Sequence, residues 1–133
     1  MQLSRGPQNH LLVPAQVNGR SATFLLDTGT KNSLLQASRA AAFGVHPSGG
    51  EVQVGRSTVP AAQINDLRVG GRALGPVEVG LFDPAQFRGP VPGKGGKSAD
   101  GLLGLDVLRR HRAVINCRTQ QLFFQGDPGR RLN

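Results

Sequence analysis

The sequence predicts a mainly β domain that carries one or two short helices. Its clearest local signal is a β-hairpin, in which Asn18-Gly19 joins the apolar runs Leu11–Val17 and Ser21–Leu26. Asn-Gly is a favoured two-residue hairpin turn because both residues tolerate positive φ. Short alternating runs separated by glycine turns continue from Glu51 to Phe82, and Gly (19) and Pro (9) are frequent. These features favour strands and tight turns over long helices.

Two short helices are expected between the strands. Asn32 or Ser33 is a suitable N-cap for the first helix, and Gly44 is a suitable residue to end it. The second helix is expected over Asp106–Arg112, with Asp106 at its cap. An acidic residue at the start and arginines near the end both favour the helix dipole.

The remaining strands follow from alternation and β-branched residues. One long strand is expected over Ser57–Val69, and a second alternating strand over Val77–Phe82. The final strands are expected at Ala113–Ile115 and Gln121–Phe124. Cys117 lies between them and is expected to be a buried, inert thiol.

The ends of the chain and one long loop lack such patterns. We expect an untethered N-terminal arm at residues 1–10, the domain at 11–125 and a basic, disordered tail at 126–133. Residues 83–99 hold several prolines and glycines, which exclude a helix or a central strand. A loop of this length is typical of a functional lid or of disorder.

Length and composition limit the classes of protein to which the chain can belong. The 133 residues fit one domain, and the single cysteine excludes an internal disulfide framework or a cysteine-based zinc cluster. No apolar run approaches the roughly 18 residues that a membrane-spanning helix needs. A soluble domain is expected. The sequence does not indicate its compartment, and an origin from a longer or anchored precursor stays open.

The chain is strongly basic, with 16 Lys and Arg against 8 Asp and Glu. An excess of this kind favours acidic partners. The basic residues are scattered, however, and no interleaved aromatic residues of the kind used for RNA binding accompany them. A solvated basic surface is therefore expected, and nucleic acid is not the expected partner.

The tripeptide Asp27-Thr28-Gly29 is the strongest candidate for a functional site. It places a carboxylate at the end of an apolar strand, next to a small hydroxyl residue and a glycine whose backbone can turn sharply. Taken alone, the tripeptide also fits an ordinary turn between a strand and a loop. Its surroundings in the sequence therefore decide its interpretation.

Two segments of the chain resemble signatures of the retropepsin-like aspartic proteases. Phe24–Thr30 resembles their active-site segment, and Ala99–Leu108 resembles their second signature. In the second signature two apolar residues and a glycine, here Leu102-Leu103-Gly104, precede a short helix and pack beside the active-site loop. Both signatures occur in the family's order, and the resemblance extends from Leu11 to Phe124.

The resemblance implies a retropepsin-like acid protease β-barrel with one lobe per chain, acting as a homodimer on peptide or protein substrates. Asp27 would be the catalytic residue, and two copies would bring two such carboxylates together. Carboxylates about 3 Å apart cannot both ionise, so they share one proton. The ionised carboxylate then activates water as a general base, and the protonated one donates to the scissile carbonyl. No cofactor and no metal are expected.

The same resemblance assigns roles to the residues around Asp27. The Thr28 hydroxyl would bond across the two-fold axis to the other subunit, and Gly29 would permit a close approach of the backbone. Thr30 stands where viral enzymes usually have Ala, and a hydroxyl at this position implies a more acidic working range. Asn116 departs from the pattern, since relatives often carry Asp there.

A glycine-tipped hairpin closes the active site in this family. Glu51–Val59 is the best candidate for such a flap, with its tip at Val54-Gly55-Arg56-Ser57. A plain surface hairpin is the alternative interpretation, and the loop at 83–99 is the alternative lid. The terminal strands that join viral dimers are not evident in this sequence.

A second hypothesis belongs to another functional class. The same fold could serve as a non-catalytic dimerisation or binding module whose basic surface holds an acidic or nucleic-acid partner. The intact Asp-Thr-Gly favours the enzyme, because a binding module needs no carboxylate at a two-fold axis. The three histidines lack metal-ligand spacing, and no G-x-S-x-G nucleophile elbow is present.

Overall fold

A ten-stranded mixed β-sheet dominates the computed structural model, which describes residues 1–5, 11–83, 85 and 99–125. The basic tail at 126–133 and almost all of the loop at 83–99 lie outside the described residues. The disordered tail and the alternative lid therefore stay predictions.

The described chain forms twelve strands and three short helical segments. The strands are β1 (Ser4–Arg5), β2 (Leu11–Val17), β3 (Arg20–Leu26), β4 (Leu34–Gln36), β5 (Pro47–Val54), β6 (Ser57–Ile64), β7 (Leu67–Val69), β8 (Arg72–Ala73), β9 (Val77–Phe82), β10 (Gly101–Leu103), β11 (Val114–Asn116) and β12 (Gln121–Phe123). The helices are α1 (Ala37–Ala40), a 3₁₀ helix (Ala41–Phe43) and α2 (Leu105–Arg110). The predicted mainly β class with short helices is confirmed.

The order of the strands places β10 at the centre of the large sheet. Hydrogen-bonded neighbours run β5-β6-β9-β4-β10-β3-β2-β7-β8, and β1 pairs with β2. Strand β10 is parallel to β3 and antiparallel to β4, and β4 is parallel to β9. Within the described residues this path does not close on itself. Strands β11 and β12 form a separate two-stranded sheet.

The hairpin of β2 and β3 forms as the sequence predicts. Asn18 and Gly19 have φ values of 50° and 84°, which is what a type I′ turn requires. Strand β2 alternates buried and exposed residues, and its buried side chains join the main apolar core. Local turn chemistry and alternation were sufficient to fix this element.

The predicted helix capped at Asn32 or Ser33 is wrong, because Leu34–Gln36 form strand β4 instead. All three residues of β4 are buried between β9 and β10, and α1 begins only after them. Burial in the centre of a sheet overrides the local preference of this segment. The end of the helical region is as predicted, since Gly44 adopts the left-handed conformation with φ 69°.

The predicted strand over Ser57–Val69 is divided into β6 and β7 by a turn at Asn65-Asp66. The Asn18 side chain accepts a hydrogen bond from the Asp66 amide at 3.0 Å, and the Asp66 carbonyl accepts one from the Asn18 amide at 2.8 Å. The first hairpin turn therefore holds this second turn. Such a contact between distant residues leaves no mark on the local sequence.

The first five residues pack against the domain instead of extending as an untethered arm. Leu3 is buried, and its amide donates to the carbonyl oxygen of Gln120 at 2.7 Å. The amide of Leu122 donates to the carbonyl oxygen of Met1 at 2.9 Å. Residues 6–10 lie outside the described residues, and the boundaries of the domain at 11–125 stay a prediction.

The prediction of a buried Cys117 is wrong, because this thiol is exposed. Strand β11 ends at Asn116, and the Asn116 side-chain oxygen accepts the amides of Arg118 and Thr119 at 3.1 and 3.2 Å. The asparagine therefore begins a turn, and Cys117 lies in this turn and not in a strand. Helix α2 also differs slightly from expectation, since Gly104 and not Asp106 occupies its N-cap.

Candidate active site

Parallel pairing of β3 with β10 brings the two sequence signatures together. Phe24, Leu25 and Leu26 lie opposite Gly101, Leu102 and Leu103, respectively. The pairing continues past the end of β3, where the Asp27 amide donates to the Leu103 carbonyl oxygen at 3.0 Å. Asp27 thus begins a loop, Asp27–Asn32, which we call the Asp27 loop, directly beside the second signature.

The Asp27 carboxylate is oriented by two neighbours within its own loop. Its Oδ1 accepts the Gly29 amide at 2.8 Å, and its Oδ2 accepts the Thr30 hydroxyl at 2.9 Å. A Cβ at Gly29 would lie only 3.2 Å from Asp27 Oδ1, so a side chain there would crowd the carboxylate. The carboxylate is partly exposed. It is therefore accessible from one side and held from the other.

Thr28 lies at the exposed tip of the Asp27 loop. Its hydroxyl takes part in none of the hydrogen bonds that the described residues make within this single chain. It is thus available to a group outside the chain.

Gly104 lies against the backbone of the Asp27 loop. A Cβ at this position would come within 2.8 Å of the Thr30 carbonyl oxygen and 3.0 Å of the Asn32 backbone. Two backbone hydrogen bonds follow, from Leu105 to the Thr30 carbonyl at 2.8 Å and from Asp106 to the Lys31 carbonyl at 3.0 Å. The glycine of the second signature therefore permits the start of α2 to dock on the loop.

Ser33 and Asp106 join the same region through their side chains, which sequence reasoning missed. The Ser33 hydroxyl donates to Asp106 Oδ1 at 2.7 Å, and the Ser33 amide donates to Asp106 Oδ2 at 3.1 Å. The Ser33 oxygen also accepts the Gly104 amide at 2.9 Å. Both residues suggested helix caps in the sequence, and nothing local indicated that they would meet across 73 positions.

The hairpin of β5 and β6 stands beside the Asp27 loop. Its turn is Gly55-Arg56, and Gly55 has a positive φ of 59°. The Asn32 side chain donates to the carbonyl oxygen of Gln53 at 2.9 Å. Buried side chains at the root of the hairpin form a second apolar cluster with residues of the central strands: Leu34, Val52, Val59, Ala61, Phe82 and Leu102. Of the residues predicted for a flap, Val54 is partly buried, and Gly55, Arg56 and Ser57 are exposed.

The match to a known family covers most of this arrangement. The aspartyl protease family matches residues 13–107, which include the Asp27 loop and Leu102-Leu103-Gly104. This chain belongs to the aspartyl protease family. DNA damage-inducible protein 1 of Neurospora crassa is similar to this aspartyl protease family member, with 29% identity over 136 residues. That match covers 92% of this chain and 26% of the relative, so the chain spans about a quarter of the relative's length.

Two solved structures share the fold. The retroviral protease-like domain of Ddi1 from Leishmania major superposes with a TM-score of 0.59 at 19% identity, covering 87% of this chain and 85% of that one. A retropepsin-like aspartic protease from Rickettsia conorii gives a TM-score of 0.56 at 18% identity, covering 86% and 80%. The fold of this aspartyl protease family member is therefore retropepsin-like. No helix among the described residues is both long and apolar enough to cross a membrane.

Proposed function

We propose that this chain is an aspartic endopeptidase in which Asp27 from each of two copies forms the catalytic dyad. The observation that carries the proposal is the geometry of Asp27. Its carboxylate is partly exposed at the end of β3 and is fixed by the Gly29 amide and the Thr30 hydroxyl. The aspartyl protease family and the retropepsin-like fold support peptide hydrolysis.

The chemistry follows from two carboxylates that share a proton. The ionised carboxylate removes a proton from a water molecule, whose oxygen attacks the scissile carbonyl carbon, while the protonated carboxylate donates to the carbonyl oxygen. The resulting tetrahedral diol collapses when its amide nitrogen receives a proton and the C–N bond breaks. Hydrogen bonds from Gly29 and Thr30 hold each carboxylate in place during both proton transfers.

Two further features fit a homodimer that closes over a peptide. The exposed Thr28 hydroxyl is proposed to bond to the backbone of the second copy and so to hold the dyad together. The β5–β6 hairpin is proposed to be the flap, with Gly55-Arg56 at its tip. No cofactor or metal takes part in this scheme.

The first test is Asp27→Asn, assayed by mass spectrometry with a mixed peptide library at several pH values from about 4 to 7. All cleavage should disappear, because an amide cannot accept and return the proton. Asp66→Asn is a matched control, since Asp66 is also partly buried but lies in the turn between β6 and β7. It should cleave as the wild type does. Normal cleavage by Asp27→Asn would show that the assignment is wrong.

Mixing the two proteins tests the shared dyad. If each active site needs Asp27 from both copies, excess Asp27→Asn should capture wild-type chains in inactive mixed dimers. Cleavage per wild-type chain should then fall in proportion to the wild-type fraction. Unchanged cleavage per wild-type chain would contradict the dyad. A wild-type dimer that cuts no peptide would favour the non-catalytic binding module.

A further inference from the structure

The Asp27 loop is attached to the start of α2 by more than its backbone. Two backbone hydrogen bonds join the carbonyl oxygens of Thr30 and Lys31 to the amides of Leu105 and Asp106. Three side-chain hydrogen bonds lie immediately beside them: Ser33 to Asp106 at 2.7 and 3.1 Å, and Gly104 to Ser33 at 2.9 Å. Five hydrogen bonds thus join the end of the Asp27 loop and the adjacent Ser33 to the start of α2 and its N-cap Gly104.

In this junction Ser33 and Gly104 are buried, Asp106 is partly buried, and the polar groups of all three are paired with one another. Ser33 is 1% exposed, and Gly104 is buried as well. Asp106 accepts a third hydrogen bond from the Val107 amide at 2.8 Å, so donors engage both of its oxygens. The Ser33 hydroxyl donates to Asp106 and accepts from Gly104. Loss of one side chain from this network therefore leaves the buried Ser33 hydroxyl or the Gly104 amide without its hydrogen-bond partner.

A short path connects this network to the Asp27 carboxylate. The Thr30 hydroxyl holds Asp27 Oδ2, and the position of Thr30 depends on the Leu105 amide that binds its carbonyl oxygen. Asp106 is the next residue of the helix. Its amide donates to the Lys31 carbonyl oxygen, and its carboxylate accepts the Ser33 amide and hydroxyl, so it holds the chain just beyond Thr30. A shift of Asp106 or Ser33 therefore moves Thr30 and, with it, the Asp27 carboxylate.

We propose that Asp106 and Ser33 are positioning residues, which lock the Asp27 loop onto α2 and hold the Asp27 carboxylate in its reactive orientation. They do not touch the substrate or the reacting atoms. The inference rests on the proposed endopeptidase function. It adds to that function a side-chain contact between Ser33, which follows the first signature, and Asp106, which lies within the second.

The other end of β10 supplies a matched control. Asp100 directly precedes β10 and accepts the Thr23 amide at 2.9 Å, and it forms an ion pair with Arg39 at 3.0 Å. It is partly buried, as Asp106 is, and its carboxylate likewise bonds to residues that are distant in the sequence. Its contacts reach the middle of β3 and α1, however, and not the Asp27 loop. A comparison of variants at Asp100 and Asp106 can therefore distinguish an effect on general stability from an effect on the position of the Asp27 loop.

The test compares Asp106→Asn with Asp100→Asn by steady-state kinetics well below the lower melting temperature. Both oxygens of Asp106 accept hydrogen bonds from Ser33 or Val107. In Asp106→Asn one of these oxygens is replaced by an NH₂ group, which cannot accept, so two donors face each other and the junction should shift. We expect kcat to fall by at least about tenfold with KM changed less than about threefold, since misplacement of a catalytic group acts mainly on the chemical step. Asp100→Asn should lose melting temperature but keep kcat within about twofold of the wild type.

Ser33→Ala provides a second, smaller change in case Asp106→Asn folds poorly. If the two side chains act as one unit, the double variant should lose no more kcat than the worse single variant. Independent, multiplying losses in kcat would contradict a shared role. If Asp106→Asn and Asp100→Asn lose kcat equally, and the losses of kcat parallel their losses of melting temperature, Asp106 contributes only to general stability and the proposal is overturned.

A second readout does not depend on cleavage. Amide hydrogen exchange at Gly29 reports the hydrogen bond to Asp27 Oδ1 directly. Exchange at Gly29 should accelerate in Asp106→Asn and stay at the wild-type rate in Asp100→Asn. Unchanged exchange in Asp106→Asn would overturn the positioning role even if the enzyme is active. If the wild type cleaves nothing, the proposed function fails, and accelerated exchange would still establish that Asp106 orders the loop.

Discussion

At the scale of single residues, Thr30 orients the Asp27 carboxylate. Its hydroxyl donates to Asp27 Oδ2 at 2.9 Å. In Thr30→Ala this contact is lost, so kcat should fall by at least about fivefold with KM changed less, because a misplaced catalytic group acts mainly on the chemical step. Thr30→Ser retains a hydroxyl and should keep the wild-type kcat. Equal kcat for Thr30→Ala and the wild type would contradict this role.

Single residues also show where sequence reasoning succeeds and where it stops. Asp27 was evident because Thr28 and Gly29 follow it directly and complete the tripeptide that resembles the active-site signature of the retropepsin-like aspartic proteases. The contact between Ser33 and Asp106 was not evident, because 73 positions separate them and each suggested a local cap. A polar pair formed only by tertiary packing has no local pattern to reveal it.

At the scale of elements, the β5–β6 hairpin makes a prediction that separates a flap from a plain surface hairpin. Gly55 at its tip has φ 59°, and a Cβ there would meet no other group within 4 Å. Gly55→Val should therefore strain the backbone without creating a clash. If the hairpin closes over the substrate, kcat/KM should fall by at least about fivefold, because the tip no longer adopts its turn.

Gly71→Val is the control for this change. Gly71 lies in the turn between β7 and β8, has φ 80°, and also leaves open space around a Cβ. Both variants should lose similar stability, which thermal melting can measure, but only Gly55→Val should lose kcat/KM. Equal kcat/KM in the two variants would mean that the β5–β6 hairpin has no role in closing the site.

Secondary-structure elements that depend on neighbouring residues were predictable from the sequence, and those that depend on tertiary burial were not. Turns at Asn18-Gly19 and Gly55-Arg56 follow from backbone conformations that few residues adopt, and both form. Strand β4 was mistaken for the start of a helix, because its leucines are selected by burial between β9 and β10 and not by any local alternation. Central strands buried on both sides lack the period of two that identifies exposed ones.

At the scale of the whole molecule, the pairing of β3 with β10 organises the site. It joins residues 24–26 to residues 101–103 in parallel, so the two signatures leave the centre of the sheet at the same end of these two strands. The order of the signatures suggested this proximity only through the resemblance to a family. Neither composition nor alternation indicates which distant strands pair, because each strand offers the same backbone groups.

His111 is expected to lower the stability of the whole fold at acid pH. This residue follows α2, and its ring packs against Phe124 in a T-shaped arrangement with a centroid distance of 6.3 Å. Its buried Nε2 has no hydrogen-bond partner among the described residues. Burial, and then the positive charges of Arg110 and Arg72, hold the pKa of His111 below its ordinary value of 6.5, although a backbone hydrogen bond with Leu74 opposes them.

The sign of the effect follows from proton uptake. As pH falls below about 6.5, the unfolded chain binds a proton at His111 before the folded chain does, so folding stability decreases. The decrease is complete once the pH lies below the lowered pKa of the folded state. This interval overlaps the acidic range in which a shared-proton dyad is proposed to work, so His111 would limit the stability of the fold in that range.

Urea unfolding at a series of pH values from 8 to about 5 tests this expectation. The wild type should lose more of its unfolding midpoint between these limits than His111→Gln, because glutamine takes up no proton. Only the change with pH is compared, since the substitution also alters packing against Phe124. His46→Gln, which removes an exposed histidine, should keep the wild-type dependence. Equal pH dependence in the wild type and His111→Gln would exclude His111 as a cause of acid lability.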